Sequence, residues 1–162
     1  MTRKDMTPDA IAPSHHAAIL RNNAHYVHWL SPLSEQELDD LLRVSDYARQ
    51  LQGGEAVLIG YSGMGDYRHK HVDWLGDRLT NFFYIDRIII REEMQQQGAG
   101  RILYDDVAHY ARQQGHAALA CEVNSVPDNP ASHAFHITLG FVPVGDAEDP
   151  DGKAVRYYVR KL

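Results

Sequence analysis

Apolar positions along the chain change period at one place. From Phe82 to Ile90 they run nearly unbroken (Phe82, Phe83, Tyr84, Ile85, Ile88, Ile89, Ile90), the pattern of a strand covered on both faces. After a polar hinge, Leu103, Val107, Tyr110 and Ala111 recur at i, i+4, i+7 and i+8, the spacing of a helix with one apolar face, and Gly115 stands where a C′ glycine would end it. The stretch Gln95-Gln96-Gln97-Gly98-Ala99-Gly100-Arg101 therefore lies at the start of that helix. Unpaired backbone N–H groups and the positive end of the helix dipole make such a place a site for an anion, and small residues let the anion reach the backbone.

The same reading orders the rest of the chain. Residues 1–13 mix Pro, Thr, Lys and Asp without periodicity and read as a loose arm, leaving 14–162 as one domain. Ile19 to Leu33 reads as a first helix followed by a loop. Ser34-x-x-Glu37 is a capping-box pattern, and Leu38, Leu41, Leu42, Ser45, Ala48 and Leu51 mark one face of a helix of about 18 residues that Gly53-Gly54 would stop. Ala56 to Gly60 is a short buried strand. Tyr61 to Asn81 has no sustained period although part of it could be helical, and long irregular segments of this kind are often functional, so it is a candidate wall for a substrate site. Ala117 to Val123 is a further strand. Asn129-Pro130 opens a short helix, with Asn as N-cap and Pro at N1, that ends at Gly140. Phe141 to Val144 reads as a strand and Gly145 to Gly152 as an acidic turn. Ala154 to Arg160 alternates as a strand with one exposed face, a surface through which homodimers could form.

Composition narrows the classes. The chain has 162 residues, 44% hydrophobic and 23% charged, enough for one core. A formal charge of −6 without a basic cluster gives no footprint for nucleic acid. No apolar run approaches the length of a signal peptide core or a membrane span, so the expected location is the cytoplasm. The single Cys121 excludes an internal disulfide and lies in an apolar run as packing, and the ten His residues show no ligand constellation. No metal is expected. His69-x-His71 with Asp73 reads as a solvated loop.

The hexad fits neither the Gly-x-Gly-x-x-Gly pattern of dinucleotide folds nor a triphosphate loop, which would need Lys-Ser/Thr after its second glycine. Gln95-x-x-Gly98-x-Gly100 resembles the coenzyme A pyrophosphate loop of the GNAT N-acetyltransferase superfamily, Arg/Gln-x-x-Gly-x-Gly/Ala. Cys121-Glu122-Val123-Asn124, followed by Asn129 to Phe141 with an aromatic pair and a closing Gly-Phe, is similar to that superfamily's last motif. The stretch also resembles, more loosely, an uncharacterised branch of bacterial acetyltransferases. The resemblance covers about residues 55–162 and implies an α/β (α+β) fold: a mixed, mostly antiparallel sheet flanked by helices, its two central parallel strands splayed. It implies acetyl-coenzyme A as cosubstrate. The backbone of Ile88, Ile89 and Ile90 would meet the pantetheine arm, and the N–H groups of Gln96, Gln97, Gly98, Ala99, Gly100 and Arg101 the pyrophosphate, with Arg101 adding charge.

Acetyl transfer from a thioester to an amine needs a neutral amine, donors for the tetrahedral oxyanion and a proton for the thiolate. Glu122, a carboxylate among small and apolar strand residues, is a candidate base, or else a structural partner of a cation such as Arg87. Asp86 is the other candidate base, or else half of an internal ion pair with Arg87. His136 stands where the superfamily usually has a tyrosine acid, and is a candidate acid or channel lining. Asn129 is an N-cap, a pantetheine partner, or both. The expected reaction is direct transfer in a ternary complex, since Cys121 points to the strand face opposite Glu122. The acceptor is an amine, either a small molecule or a peptide. A non-catalytic acyl-coenzyme A sensor is the alternative, which the missing tyrosine favours.

Overall fold

The computed structural model describes residues 6–162. Its elements are β1 (Asp9–Ala10), α1 (His16–His25), α2 (Glu35–Val44), β2 (Tyr47–Leu51), β3 (Ala56–Ser62), α3 (Lys70–Gly76), β4 (Phe82–Ile90), α4 (Glu92–Gln95), α5 (Ala99–Gln113), β5 (Ala118–Val126), α6 (Pro130–Thr138), β6 (Val142–Glu148) and β7 (Ala154–Lys161). The strands follow the order β1-β2-β3-β4-β5-β7-β6. They form a mixed, mostly antiparallel sheet in which β4 and β5 are parallel, as the sequence led us to expect. The β4–β5 ladder pairs Phe82, Phe83 and Tyr84 with Ala118, Leu119 and Ala120. By its contacts the chain divides into two compact units, one of residues 6–61 and 85–110, the other of residues 62–84 and 111–162.

In the first unit, the capping box forms as its sequence signature requires. Ser34 Oγ accepts from Glu37 N–H (3.1 Å) and Glu37 Oε1 accepts from Ser34 N–H (3.2 Å). The helix is ten residues long, however, not eighteen: α2 stops at Val44, and Ser45 turns to ψ 143°. Tyr47 to Leu51 then pair antiparallel with Gly60 to Ala56. The pattern misled because Leu51 satisfies both periods. What decides is the chain reversal at 52–54, where Gln52, Gly53 and Gly54 take φ of 55°, 70° and 90°. That is hairpin geometry, and it requires a strand on either side. The arm also needs correction. Asp9 and Ala10 pair with Gln50 and Arg49, and Met6 is buried, so of the loose segment expected over 1–13 the described part is docked; residues 1–5 lie outside the described residues. Every residue of β3 up to Tyr61 is buried, the signature of a central strand.

In the second unit, α5 ends in a Schellman arrangement. His116 N–H reaches Ala111 O (2.9 Å) and Gly115 N–H reaches Arg112 O (3.0 Å), with Gly115 at φ +84°. β7 lies between β5 and β6, and of the face expected to be exposed Arg156 is exposed and Arg160 intermediate, while Tyr158 is buried. β6 extends through Glu148, shortening the acidic turn to its second half. Trp74 of α3 stacks on Tyr157 (3.9 Å between centroids, 9° between planes), and the Arg78 guanidinium lies 3.6 Å over the Trp74 ring. This sandwich fixes α3 on β7, and it needs Gly145, where a Cβ would lie 2.5 Å from the indole. Gly145→Ala should therefore lower stability by about 1–3 kcal/mol, the usual cost of overpacking. Chemical denaturation of the variant beside wild type measures it.

Candidate active site

The first unit carries the glycine hexad. The single turn α4 closes with Gln97 N–H to Met94 O (3.1 Å) and Gly98 N–H to Gln95 O (3.3 Å). Gly98 then swings to φ +77°, and its carbonyl accepts from Ile102 N–H (3.2 Å), which makes it the residue that starts α5. Only glycine holds that φ without cost. The N–H groups of Ala99, Gly100 and Arg101 form the first turn, where a helix offers no i−4 carbonyl to receive them. Ala99 and Gly100 are buried and Arg101 is exposed. Gln95 does something the sequence did not reveal. Its Nε2 donates to Ile90 O (2.9 Å) and to Tyr26 Oη (3.3 Å), so its side chain braces the end of β4. One lone pair of the Ile90 carbonyl is thus engaged.

Asp86 belongs to this unit too. Its Oδ2 accepts from Tyr61 Oη (2.7 Å) and its Oδ1 lies 3.3 Å from Arg87 Nε. Arg87 in turn donates through Nη1 to Asn23 Oδ1 and Ser31 O, both at 2.8 Å. The Asp-Arg step is thus an internal ion pair tied to β3, α1 and the loop after α1, the structural reading of the two the sequence allowed. A carboxylate so engaged is a poor candidate for taking a substrate's proton.

Glu122 lies in the second unit, on β5 opposite Tyr157 of β7. Its side chain is 17% exposed. Tyr84 Oη donates to it, 2.7 Å from Oε1 and 2.6 Å from Oε2. His71 Nε2 stands 3.8 Å from Oε1, and His71 Nδ1 is 2.8 Å from Tyr157 Oη. His69 N-caps α3, its Nδ1 accepting from His71 N–H (3.2 Å), and its ring meets Tyr84 edge-on at 5.1 Å. The segment 61–81 thus brings the His71 imidazole to the half-buried carboxylate and the His69 ring to Tyr84. Burial, and secondarily the charges of His69 and Lys70, push the His71 imidazole down to about 4, so it is neutral at pH 7. Burial and the Glu122 charge hold the Tyr157 hydroxyl protonated well above the usual phenol range.

His136 lies on α6. It is 3% exposed, with Nδ1 2.8 Å from Ser132 O and the rings of Phe135, Phe141 and Tyr158 around it. A carbonyl can only accept, so Nδ1 carries the proton. Burial pushes the imidazole down to about 4. At pH 7 it is neutral, with its one N–H committed to the backbone, a form unsuited to protonating a thiolate. Asn129 is the N-cap of α6, its Oδ1 3.4 Å from Ser132 N–H. Cys121 is buried and pairs in register with Tyr158, on the face opposite Glu122. Among the described residues no group of three or more His, Cys, Asp or Glu could hold a metal ion, and no helix is long and apolar enough to cross a membrane.

The two depressed imidazoles carry a pH signature. In the unfolded chain each binds a proton near the ordinary imidazole value of 6.5, and in the fold only near 4. The unfolded state therefore binds more protons across that window, and stability present above about pH 6.5 is lost as pH falls toward 4. Each group accounts for about 2 kcal/mol between pH 7 and pH 5. His136→Phe should flatten the decline in melting temperature over that range, a difference thermal melts at several pH values measure.

Residues 19–141 match the Acetyltransferase (GNAT) family. No curated protein matches the sequence. Among solved structures, Ard1 from Thermoplasma volcanium superposes with a TM-score of 0.75 at 16% identity over 97% of each chain. The ribosomal-protein-S18-alanine N-acetyltransferase from Escherichia coli gives 0.69 at 18% identity, over 97% of this chain and 94% of that one. A GNAT family acetyltransferase from Elizabethkingia anophelis with acetyl-CoA bound gives 0.62 at 13% identity over 97% of each. With the match spanning most of its length, the chain belongs to the GNAT acetyltransferase family.

Proposed function

We propose that the protein is an acetyl-coenzyme A-dependent N-acetyltransferase that moves the acetyl group directly to an amine. The observation that carries this reading is the start of α5. Gly98 at φ +77° opens a helix whose first N–H groups face no protein carbonyl of their own helix. They would receive the pyrophosphate, with the Arg101 guanidinium nearby in sequence adding charge. A family member that binds acetyl-CoA in the solved state supports the cosubstrate.

Glu122 is the proposed base. An amine arrives as an ammonium ion; an N–H bond breaks, the proton goes to a Glu122 oxygen, and the freed lone pair attacks the thioester carbonyl. Collapse of the tetrahedral intermediate breaks the C–S bond, the nitrogen's remaining excess proton passes to the departing sulfur, and an amide and coenzyme A thiol are left. With a thiol pKa of about 8–9 the thiolate is a fair leaving group without an acid. That suits the neutral state of His136, which we assign to the lining around the reacting end of the coenzyme. Its replacement by Phe should change turnover less than tenfold, which is less than a general acid contributes.

The second reading, an acyl-coenzyme A-binding module without turnover, is favoured by the histidine where the superfamily has tyrosine. Thiol release from acetyl-coenzyme A decides, across a panel of polyamines, amino acids, aminoglycosides and unblocked peptides, including one beginning with Ala because a structural neighbour is a ribosomal-protein-S18-alanine N-acetyltransferase. Amine-dependent release supports the enzyme. Binding of acetyl-coenzyme A with no release above the amine-free rate across the panel supports the module.

A further inference from the structure

Tyr157, His71 and Glu122 stand in line within the second unit. Tyr157 Oη is 2.8 Å from His71 Nδ1, and His71 Nε2 is 3.8 Å from Glu122 Oε1. The first contact is a formed hydrogen bond; the second is an approach that a small side-chain rotation would close. Two tautomers satisfy the first. Either Tyr157 donates to Nδ1 and the proton sits on Nε2, or Nδ1 donates to Tyr157 and a bare lone pair faces the carboxylate. The second arrangement sets two electron pairs against each other beside a carboxylate that is 17% exposed, where little water screens them. The first gives the carboxylate a donor. Every neighbour of the ring argues the same way. Tyr157 holds its proton and can donate it, and His69 receives the His71 backbone N–H rather than a ring hydrogen. Lys70 is paired with Asp149 at 2.6 Å and so does not compete for Glu122.

We infer that His71 is a positioning residue for the proposed base: Tyr157 locks it in the tautomer protonated on Nε2, and that N–H is aimed at Glu122 to keep the carboxylate charged and oriented. The inference rests on Glu122 as base for its purpose, but not for its geometry. The frame that holds the ring is the Arg78–Trp74–Tyr157 stack, which fixes α3 and the phenol together. Tyr84 Oη also donates to the carboxylate, 2.7 Å from Oε1 and 2.6 Å from Oε2. This is the relation by which a metal-binding or catalytic histidine is fixed through its second nitrogen, with the roles exchanged so that the histidine serves the carboxylate.

The test needs no acceptor. Nitrogen-15 spectra of histidine side chains distinguish a protonated ring nitrogen from a bare one, and the full-length protein at pH 7 should show His71 with Nε2 protonated and Nδ1 bare. In Tyr157→Phe the lock is removed and a mixture of tautomers is expected. In Glu122→Gln the amide can donate as well as accept, and the preference should weaken as well. In His71→Phe the Glu122 carboxyl, followed by carbon-13, should titrate about one pH unit higher than in wild type, since a donor to its charged form is gone. A wild-type His71 protonated on Nδ1, or a Glu122 titration that His71→Phe leaves in place, overturns the proposal. Failure of the acetyltransferase reading would show elsewhere, as acetyl-coenzyme A that does not bind or that binds without amine-dependent thiol release, with these spectra unchanged.

Discussion

Gly98→Val should abolish the stabilisation that acetyl-coenzyme A gives the protein. At a ligand concentration one hundred times Kd, binding to the native state alone adds about 2.7 kcal/mol. For a domain of this size that raises the melting temperature by roughly 5–10 °C. Gly98 sits at φ +77° at the head of α5, where a branched side chain would stand against the bound pyrophosphate and would itself cost about 1–2 kcal/mol of backbone strain. The variant should melt lower than wild type and show no ligand shift. Gly115→Val separates the two effects. That glycine has a similar φ of +84°, and nothing lies within 4 Å of its added Cβ. It should therefore pay the strain yet keep the full shift in differential scanning fluorimetry. A Gly98→Val protein with the wild-type shift would remove the loop from the account.

Glu122→Gln should lower kcat by roughly 10²–10⁴-fold at neutral pH, the range for loss of a general base. Cofactor affinity should hardly change, because the loss falls on a proton transfer made only after binding. The amide is isosteric and can still accept from Tyr84, so the fold should survive. Activity should recover in part at high pH, where more of the amine is neutral before it binds. Asp86→Asn is the contrasting variant: Asp86 is engaged by Tyr61 and Arg87, so its cost should appear as stability more than as turnover. Rates for the two variants across pH 6–10 on the best acceptor from the panel distinguish them. A Glu122→Gln enzyme at wild-type speed throughout would return the base assignment to Asp86 or to water.

Local signals in the sequence were sufficient where one short-range rule decides the outcome. The capping box at Ser34, the C′ glycine at Gly115, the Asn129-Pro130 helix start and the run from Phe82 to Ile90 all formed where their residues indicated. The β2 strand was hidden because Leu38 to Leu51 fits a helical face by spacing, and only pairing with β3 fixes the period. The final strand departs at one residue. Alternation of Val155, Tyr157 and Val159 against Arg156, Tyr158 and Arg160 suggests one wet face; Arg156 is exposed, but Tyr158 is buried with its hydroxyl 2.6 Å from His133 Nδ1, a long-range contact.

The site divided in the same manner. The glycine hexad and Glu122 are contiguous patterns, so they could be named from residues alone. The partners of Glu122 could not, because Tyr84, His71 and Tyr157 are brought to it by strand register and by the placement of α3. Their signal was present but ambiguous: His69-x-His71 within an irregular segment reads equally as a solvated loop. For His136 the residues left two readings, acid or channel lining, because a free imidazole titrates near neutrality; burial among three aromatic rings makes the neutral form the resident one, which favours the second.

The most direct check is a titration of nitrogen-15-labelled protein with acetyl-coenzyme A, followed at the backbone amides. The account predicts saturable shifts, largest at Gly98, Ala99, Gly100 and Arg101, as the pyrophosphate takes up the N–H groups of the first turn of α5. Amides at 98–101 that stay in place at millimolar acetyl-coenzyme A would contradict it.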